Sequence, residues 1–261
     1  MRAWVAGIAV LGPGLPGWAA SEAILAGTQP WTAAEVAVPP PMLLAATERR
    51  RTSLAVRLAL AAAAEAAAQE DGAALDTIFA SSNGDGAVVG AILDALAEPE
   101  ATISPTQFHN SVHNAAAGYW GIGMASTRPS ISIGGHDDTV ATGLLQAVAA
   151  VVARGRAVLF CAYDAPLPAP LSGVRRTTVP FAAALVLRPE AGAAARAALT
   201  LRYVASPAAV PEPADALDGL AADNPAARIL PLLRALARRR PASLRLPLLG
   251  DAHLALKVAP C

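Results

Sequence analysis

Cysteine is nearly missing from this chain. Its 261 residues include two, Cys161 and Cys261. That excludes a disulfide-stapled domain and suits a reducing compartment, so a cytoplasmic location is expected. An excess of either charge is missing too: 20 basic residues balance 20 acidic ones. With no net field to hold a polyanion, nucleic acid is not an expected partner. Lysine is reduced to Lys257, which leaves arginine to carry the positive charge. Long uninterrupted apolar runs are also lacking. The most apolar stretches carry Arg57, Glu65 or Arg154, whereas a membrane span needs about 20 predominantly apolar residues, so none is expected. Aromatic residues are only 4% of the chain and charged residues 15%, but hydrophobic residues reach 54%. That is ample to bury a core and excludes a disordered chain.

The N-terminus has the outline of a secretory signal: Met1-Arg2, an apolar run from Trp4 to Leu11, then Trp18-Ala19-Ala20-Ser21. Gly7, Gly12, Pro13, Gly14 and Pro16 break the apolar run that a signal core requires. A first β-strand ending in a Gly/Pro loop accounts for it better.

Apolar patterning then alternates between strand and helix periods. Strands are expected at 3–11, 76–82, 129–133, 156–163, 180–187, 199–204 and 252–258. Helices are expected at 47–70 with Thr47 as N-cap, and at 87–97, 113–125, 138–153 and 225–239. In the first of these, Leu54, Leu58, Ala61 and Ala62 share one side. Strands alternating with helices imply crossover units and a mixed, mainly parallel sheet with helices on both faces, an α/β fold. Composition shifts after Pro207 toward Pro, Ala and Arg. Residues 1–206 are therefore read as the main domain and 207–261 as an extension packing on it.

Three of the four histidines, His109, His113 and His136, lie in one stretch with Asp137 and Asp138. A His/His/carboxylate metal site is conceivable there, but no HExxH-type base accompanies the pair, and no metal or other cofactor is expected. For nucleophilic catalysis, Ser111, Ser132 and Cys161 are available, but there is no GxSxG elbow. Cys161 sits in an apolar strand, where a cysteine is usually core filler. Asn83-Gly84-Asp85-Gly86 lacks the spacing and lysine of a phosphate loop and reads as a strand-to-helix turn. Arg49-Arg50-Arg51 and Arg238-Arg239-Arg240 read as solvated helix faces.

One run carries a family resemblance: Pro105, Phe108-His109-Asn110, Asn114-Ala115-Ala116-Ala117-Gly118, then Pro129-Ser130-Ile131-Ser132-Ile133, an apolar helix, and the strand at 157–163. It resembles the N-terminal half of a β-ketoacyl synthase, and more closely the chain-length-factor-like proteins of aryl-polyene and related pigment pathways. The resemblance covers residues 1–190 and implies a thiolase-like half-fold. In active ketosynthases the strand matching Pro129–Ile133 leads to a nucleophilic cysteine, and this sequence has Asp137 there, beside His136. The family's decarboxylating histidines lie in a C-terminal half for which this chain offers only His253. The resemblance therefore implies a non-catalytic partner of a full-length β-ketoacyl synthase. Such a partner would form a heterodimer, serve acyl carrier protein through the complex and shape the acyl tunnel in fatty acid or polyketide synthesis. One of the arginine runs could then help dock the acidic carrier protein. Tunnel and interface candidates are Asn83, Asp85, Val88, Phe108, His109, His113, Tyr119, Trp120, Ser130 and Ser132. The core-packing reading of the aromatics stays open. Two alternatives remain: an acyl-thioester hydrolase or transferase using His136/Asp137 or His109/His113, and a metal-binding module.

Overall fold

The computed structural model describes residues 1–99, 102–208 and 213–261. Part of the segment read as a C-terminal extension, residues 209–212, lies outside them. Eight strands form one sheet: β1 (Arg2–Leu11), β2 (Asp76–Ala80), β3 (Ser130–Ile133), β4 (Val158–Asp164), β5 (Phe181–Arg188), β6 (Ala197–Val204), β7 (Ala242–Leu248) and β8 (Ala252–Pro260). Their order is β3-β2-β4-β5-β1-β6-β8-β7.

The sheet is mixed, as expected, but its majority is antiparallel. Only β2–β3 and β2–β4 pair in parallel, and the other five neighbours run antiparallel. Parallel neighbours need a long crossover, and β2, β3 and β4 are linked through helices. Antiparallel β7 and β8 are joined by a tight turn, and β1 meets its antiparallel neighbours β5 and β6 through long-range pairing.

Among the described residues there are six longer helices: α1 (Trp18–Ala26), α2 (Leu54–Ala66), α3 (Gly86–Ala97), α4 (Ala115–Met124), α5 (Thr139–Arg154) and α6 (Leu230–Arg238). One face packs α1, α5 and α6 on residues such as Val10, Phe160 and Leu185. The other packs α2 and α4 on Leu11, Phe79 and Val186. Helix α2 starts later than the sequence suggested. Ser53, not Thr47, caps it by accepting the Val56 N–H at 3.2 Å, and residues 46–49 form a separate turn. Its burial also wraps round the helix, from Ala55 to Ala66, because the sheet and α4 contact it on different sides. Leu54, placed on the buried side from the sequence, is instead exposed.

Two glycines mark close approaches. A Cβ on Gly7 would lie 1.9 Å from the carbonyl oxygen of Ala66, where α2 ends against β1. A Cβ on Gly143 would lie 2.7 Å from the Phe160 ring, where α5 crosses β4.

After Pro207 the described chain returns to the same sheet. Pro225–Ile229 forms a 3-10 turn that runs into α6, and β7 and β8 extend the sheet beyond β6. Among the described residues no helix is long and apolar enough to cross a membrane.

Candidate functional site

Edge strand β3 delivers the chain through Gly134-Gly135 into a 3-10 turn, His136–Asp138, and then into α5. At His136 the backbone turns left-handed, with φ +52°. A non-glycine residue there costs about 1 kcal/mol and needs support from its surroundings. Thr139 supplies some of it: its hydroxyl donates to the His136 carbonyl at 2.7 Å and accepts from the Gly135 N–H at 2.9 Å. This elbow presents Asp137 at the start of a long helix, where a carboxylate is favoured.

Asp137 is not free. Its Oδ1 accepts from Arg175 at 2.9 Å, and its Oδ2 lies 3.1 Å from Arg228. Partial burial pushes its carboxyl upward, but Arg228 and Arg175, helped by His136, more than reverse this and hold it below the usual carboxylate value. Arg228 also pairs with Asp138 at 3.4 Å, and Asp138 accepts the Leu249 N–H at 2.8 Å.

Arg175 fills the space in front of the elbow. Its Nε donates to Asn83 Oδ1 at 2.8 Å, and its terminal nitrogens donate to Ser82 Oγ and to His136 Nε2, the latter at 2.8 Å. Guanidinium N–H groups only donate, so the His136 Nε2 lone pair is occupied by that contact. As built, His136 has no free acceptor with which to take a proton from a substrate.

Behind Arg175 lies Asp164, the last residue of β4 and fully buried. It accepts from Ser81 Oγ at 2.8 Å, the Asn83 N–H at 3.0 Å and the Ser82 N–H at 3.2 Å. Burial pushes its carboxyl up to about 6, against these three hydrogen bonds and the Arg175 charge, which lower it. Asp164 thus fixes the loop from β2 to α3, and that loop fixes Arg175.

The predicted residues fall into separate environments. Asn83 belongs to the Arg175 network and also donates to Thr177 at 2.9 Å. Asp85 caps α3 by accepting the Val88 N–H at 3.1 Å, and Val88 is half-buried. Phe108 is 67% exposed. His109 meets the Tyr119 ring edge-on at 5.5 Å, and His113 Nε2 lies 2.9 Å from the Ser81 carbonyl. Tyr119 and Trp120 are buried in the α2/α4 core. Ser130 accepts from Thr77 at 2.7 Å on the edge strand, next to half-buried Ser132.

His109 and His113 are therefore engaged apart from His136, and among the described residues no three His, Cys, Asp or Glu side chains gather as a metal site would require. Cys161 is buried 3.5 Å from the Ala59 carbonyl, and burial pushes its thiol far up, so it is an inert core residue. Sequence reasoning missed Arg175, Arg228 and Asp164, which the fold brings in from distant segments.

Beside this polar cluster, α3 is its opposite. Its twelve residues, GAVVGAILDALA, are mostly apolar, yet only Gly86 and Gly90 are buried. Leu93 and Leu96 are exposed, as are Phe108, Val112 and Ile122 in the segments between α3 and β3. Among the described residues no strand pairs with the outer edge of β3.

A family model described as beta-ketoacyl synthase, N-terminal domain, matches residues 18–245. The chain belongs to that family. No curated protein sequence matches this ketosynthase-family chain significantly. Among solved structures it is similar to a chain of the ketosynthase (ApeO) in complex with its chain length factor (ApeC) from Xenorhabdus doucetiae: 23% identity, TM-score 0.75, 99% of each chain covered. It is similar to a chain of the ishigamide ketosynthase/chain length factor at 13% identity and TM-score 0.72, covering 100% of this chain and 99% of that one. The ketosynthase from module 6 of the bacillaene synthase of Bacillus subtilis 168 aligns at 14% identity and TM-score 0.52. That alignment covers 72% of this chain but only 37% of the other. These likenesses establish a thiolase-like ketosynthase fold.

Proposed function

We propose that this chain is a non-catalytic, chain-length-factor-like partner of a full-length β-ketoacyl synthase. It acts in fatty acid or polyketide synthesis of the aryl-polyene type and works through association. The observation that carries this reading is the elbow. The position that would hold an acylatable thiol has a carboxylate locked between Arg175 and Arg228. Such a carboxylate is a poor acyl acceptor, and the guanidinium occupies the space a thioester would need.

Two further observations support it. The chains matched from complexes named for a ketosynthase and its chain length factor are the same size as this one, whereas the modular ketosynthase chain is far longer. And an apolar helix with an unpaired strand edge beside it is the kind of surface that a subunit interface covers.

In this reading α3, Phe108, Val112 and β3 meet the synthase, and Asn83, Asp85 and Val88 line one end of its acyl tunnel. The carrier protein docks on the complex, in the cytoplasm. Residues 1–206 form the ketosynthase-like unit, and 207–261 are an extension that completes its sheet. Co-expression with a candidate full-length β-ketoacyl synthase, followed by size-exclusion chromatography with light scattering, tests the proposal. A stable one-to-one complex is expected. Separate elution together with full activity of the unaided synthase overturns it.

A further inference from the structure

The sheet face opposite α5 and α6 is left open at its far end. Helix α2 packs there on β1, β4 and β5, but no residue of β6, β7 or β8 joins the core beneath it. The strand registers arrange the open face in rows. Arg2, Thr200, Lys257 and Ser243 form one row across β1, β6, β8 and β7. Arg202, Ala255 and Arg245 form the next, and Trp4 and Ala198 border the first. Arg2, Arg202, Arg245 and Lys257 are all exposed. None of the four has a carboxylate partner among the described residues. Strands β1, β6, β7 and β8 contain no Asp or Glu. At the β1 margin Glu70 is engaged by Arg188, opposite Trp4.

We infer that this open face binds reversibly to an anionic lipid surface. Its four cations stand on adjacent rows, about 7 Å apart along the strands and about 10 Å apart across them. They are spread like the head groups of a bilayer and are not gathered round one anion. Thr200, Ser243 and Ala255 between them are small, so the guanidinium and ammonium groups stand clear of the sheet. Half-buried Trp4 borders the rows, with the Arg2 guanidinium 4.7 Å from its ring centre. An indole beside cations is what a membrane interface favours. Single-stranded nucleic acid is a poorer fit, because it stacks on several aromatics and Trp4 is the only Phe, Tyr or Trp in these rows. The chain as a whole is neutral, so the rest of the molecule carries the compensating negative charge and this face turns toward an anionic surface. Strand β6 lies five strand spacings, about 24 Å, from β3. The face is therefore separate from the surface assigned to the synthase, and the inference does not rest on that reading.

Co-sedimentation of the full chain with vesicles at low ionic strength tests this. Vesicles of phosphatidylcholine mixed with an equal part of phosphatidylglycerol are expected to carry the chain down. Pure phosphatidylcholine vesicles are expected to leave it in solution, and about 0.5 M salt to release it. Arg202→Gln and Arg245→Gln are each expected to weaken partitioning about fivefold, the factor expected of one basic residue near an anionic surface, and about twenty-five-fold together. Arg238→Gln, an exposed change in α6 on the opposite face, is expected to leave it unchanged. Brominated phosphatidylglycerol is expected to quench tryptophan fluorescence, and Trp4→Phe to remove most of that quenching. The inference is overturned by no sedimentation with the anionic vesicles, by equal sedimentation with neutral ones, or by equal losses from Arg238→Gln and Arg202→Gln. Quenching that survives Trp4→Phe overturns it too, as does tighter binding to poly-aspartate or oligothymidylate than to the anionic vesicles.

Discussion

The elbow and helix α3 are joined by one loop, Ser81–Asp85, and they could hardly differ more. At the elbow the charged groups are paired: Asp164 holds the loop, the loop holds Arg175, and Arg175 holds His136 and Asp137. On α3 Leu93 and Leu96 are exposed, and Val88, Val89 and Ile92 are only half-buried. In a catalytic domain the usual arrangement is the reverse, with an accessible, reactive polar site and a covered apolar surface. In the proposed reading, the polar interactions close the position where chemistry would occur, and the exposed apolar surface is left for association.

The comparison is broken most severely at Asp164. Replacing it by Ala removes the acceptor of three donors, the buried Ser81 Oγ and the partly buried Ser82 and Asn83 N–H groups. A loss of about 3–5 kcal/mol in urea-unfolding stability is expected. The same carboxyl gives a pH signature. Its pKa is raised from 3.8 to about 6 in the folded state, so folding favours the protonated form. Its contribution is greatest below pH 4 and is lost as pH rises through 6. Against Asp164→Asn, which does not titrate, the relative stability of the native chain is expected to fall by about 2 kcal/mol between pH 4 and pH 6. A flat difference across that range would show that the carboxyl is not perturbed.

Association is the next largest effect. Leu93→Asp with Leu96→Asp is expected to weaken complex formation with the synthase by about thirtyfold or more, measured by surface plasmon resonance. Because both residues are exposed, the stability of the isolated chain is expected to change by less than about 0.5 kcal/mol. A smaller effect is expected from Arg175→Ala, about 1–2 kcal/mol in unfolding stability, because Asn83, Ser82 and Asp137 lose their donor but can reach water. Faster hydrogen exchange confined to the 81–84 loop and the elbow would accompany it.

Much of the fold was legible in the sequence, because β1, β2, β4 and β5 are apolar runs bounded by turn residues and α5 is a long apolar helix. Strand β7 was not, since Arg245 and Pro247 interrupt its pattern. Pro247 is tolerated there because β7 is an edge strand, where a missing N–H need break no ladder bond, and Arg245 because its side chain is exposed. Helix α1 was hidden because its N-cap is Gly17, which has no side chain to cap it. The antiparallel majority of the sheet depends on which strands pair, and pairings such as β1 with β5 are long-range choices that local periodicity does not encode. The same holds at the site. Asp137 stood out from its position after a recognisable strand, but Arg175 lies 38 residues further on, in a segment without any motif. The Tyr163-Asp164 end of β4, beside a Ser-Ser-Asn-Gly turn, was the one local hint that a buried acceptor would meet a loop rich in donors.

The central claim is that the working surface of this protein is its interface and not its elbow. The most direct test is an acyl-condensation assay of the synthase reconstituted with this chain carrying either Asp137→Asn or the Leu93→Asp, Leu96→Asp pair. Unchanged product yield and chain length with Asp137→Asn, and loss of both with the leucine pair, is the predicted result. Loss of condensation with Asp137→Asn while the leucine pair leaves it intact would contradict the account.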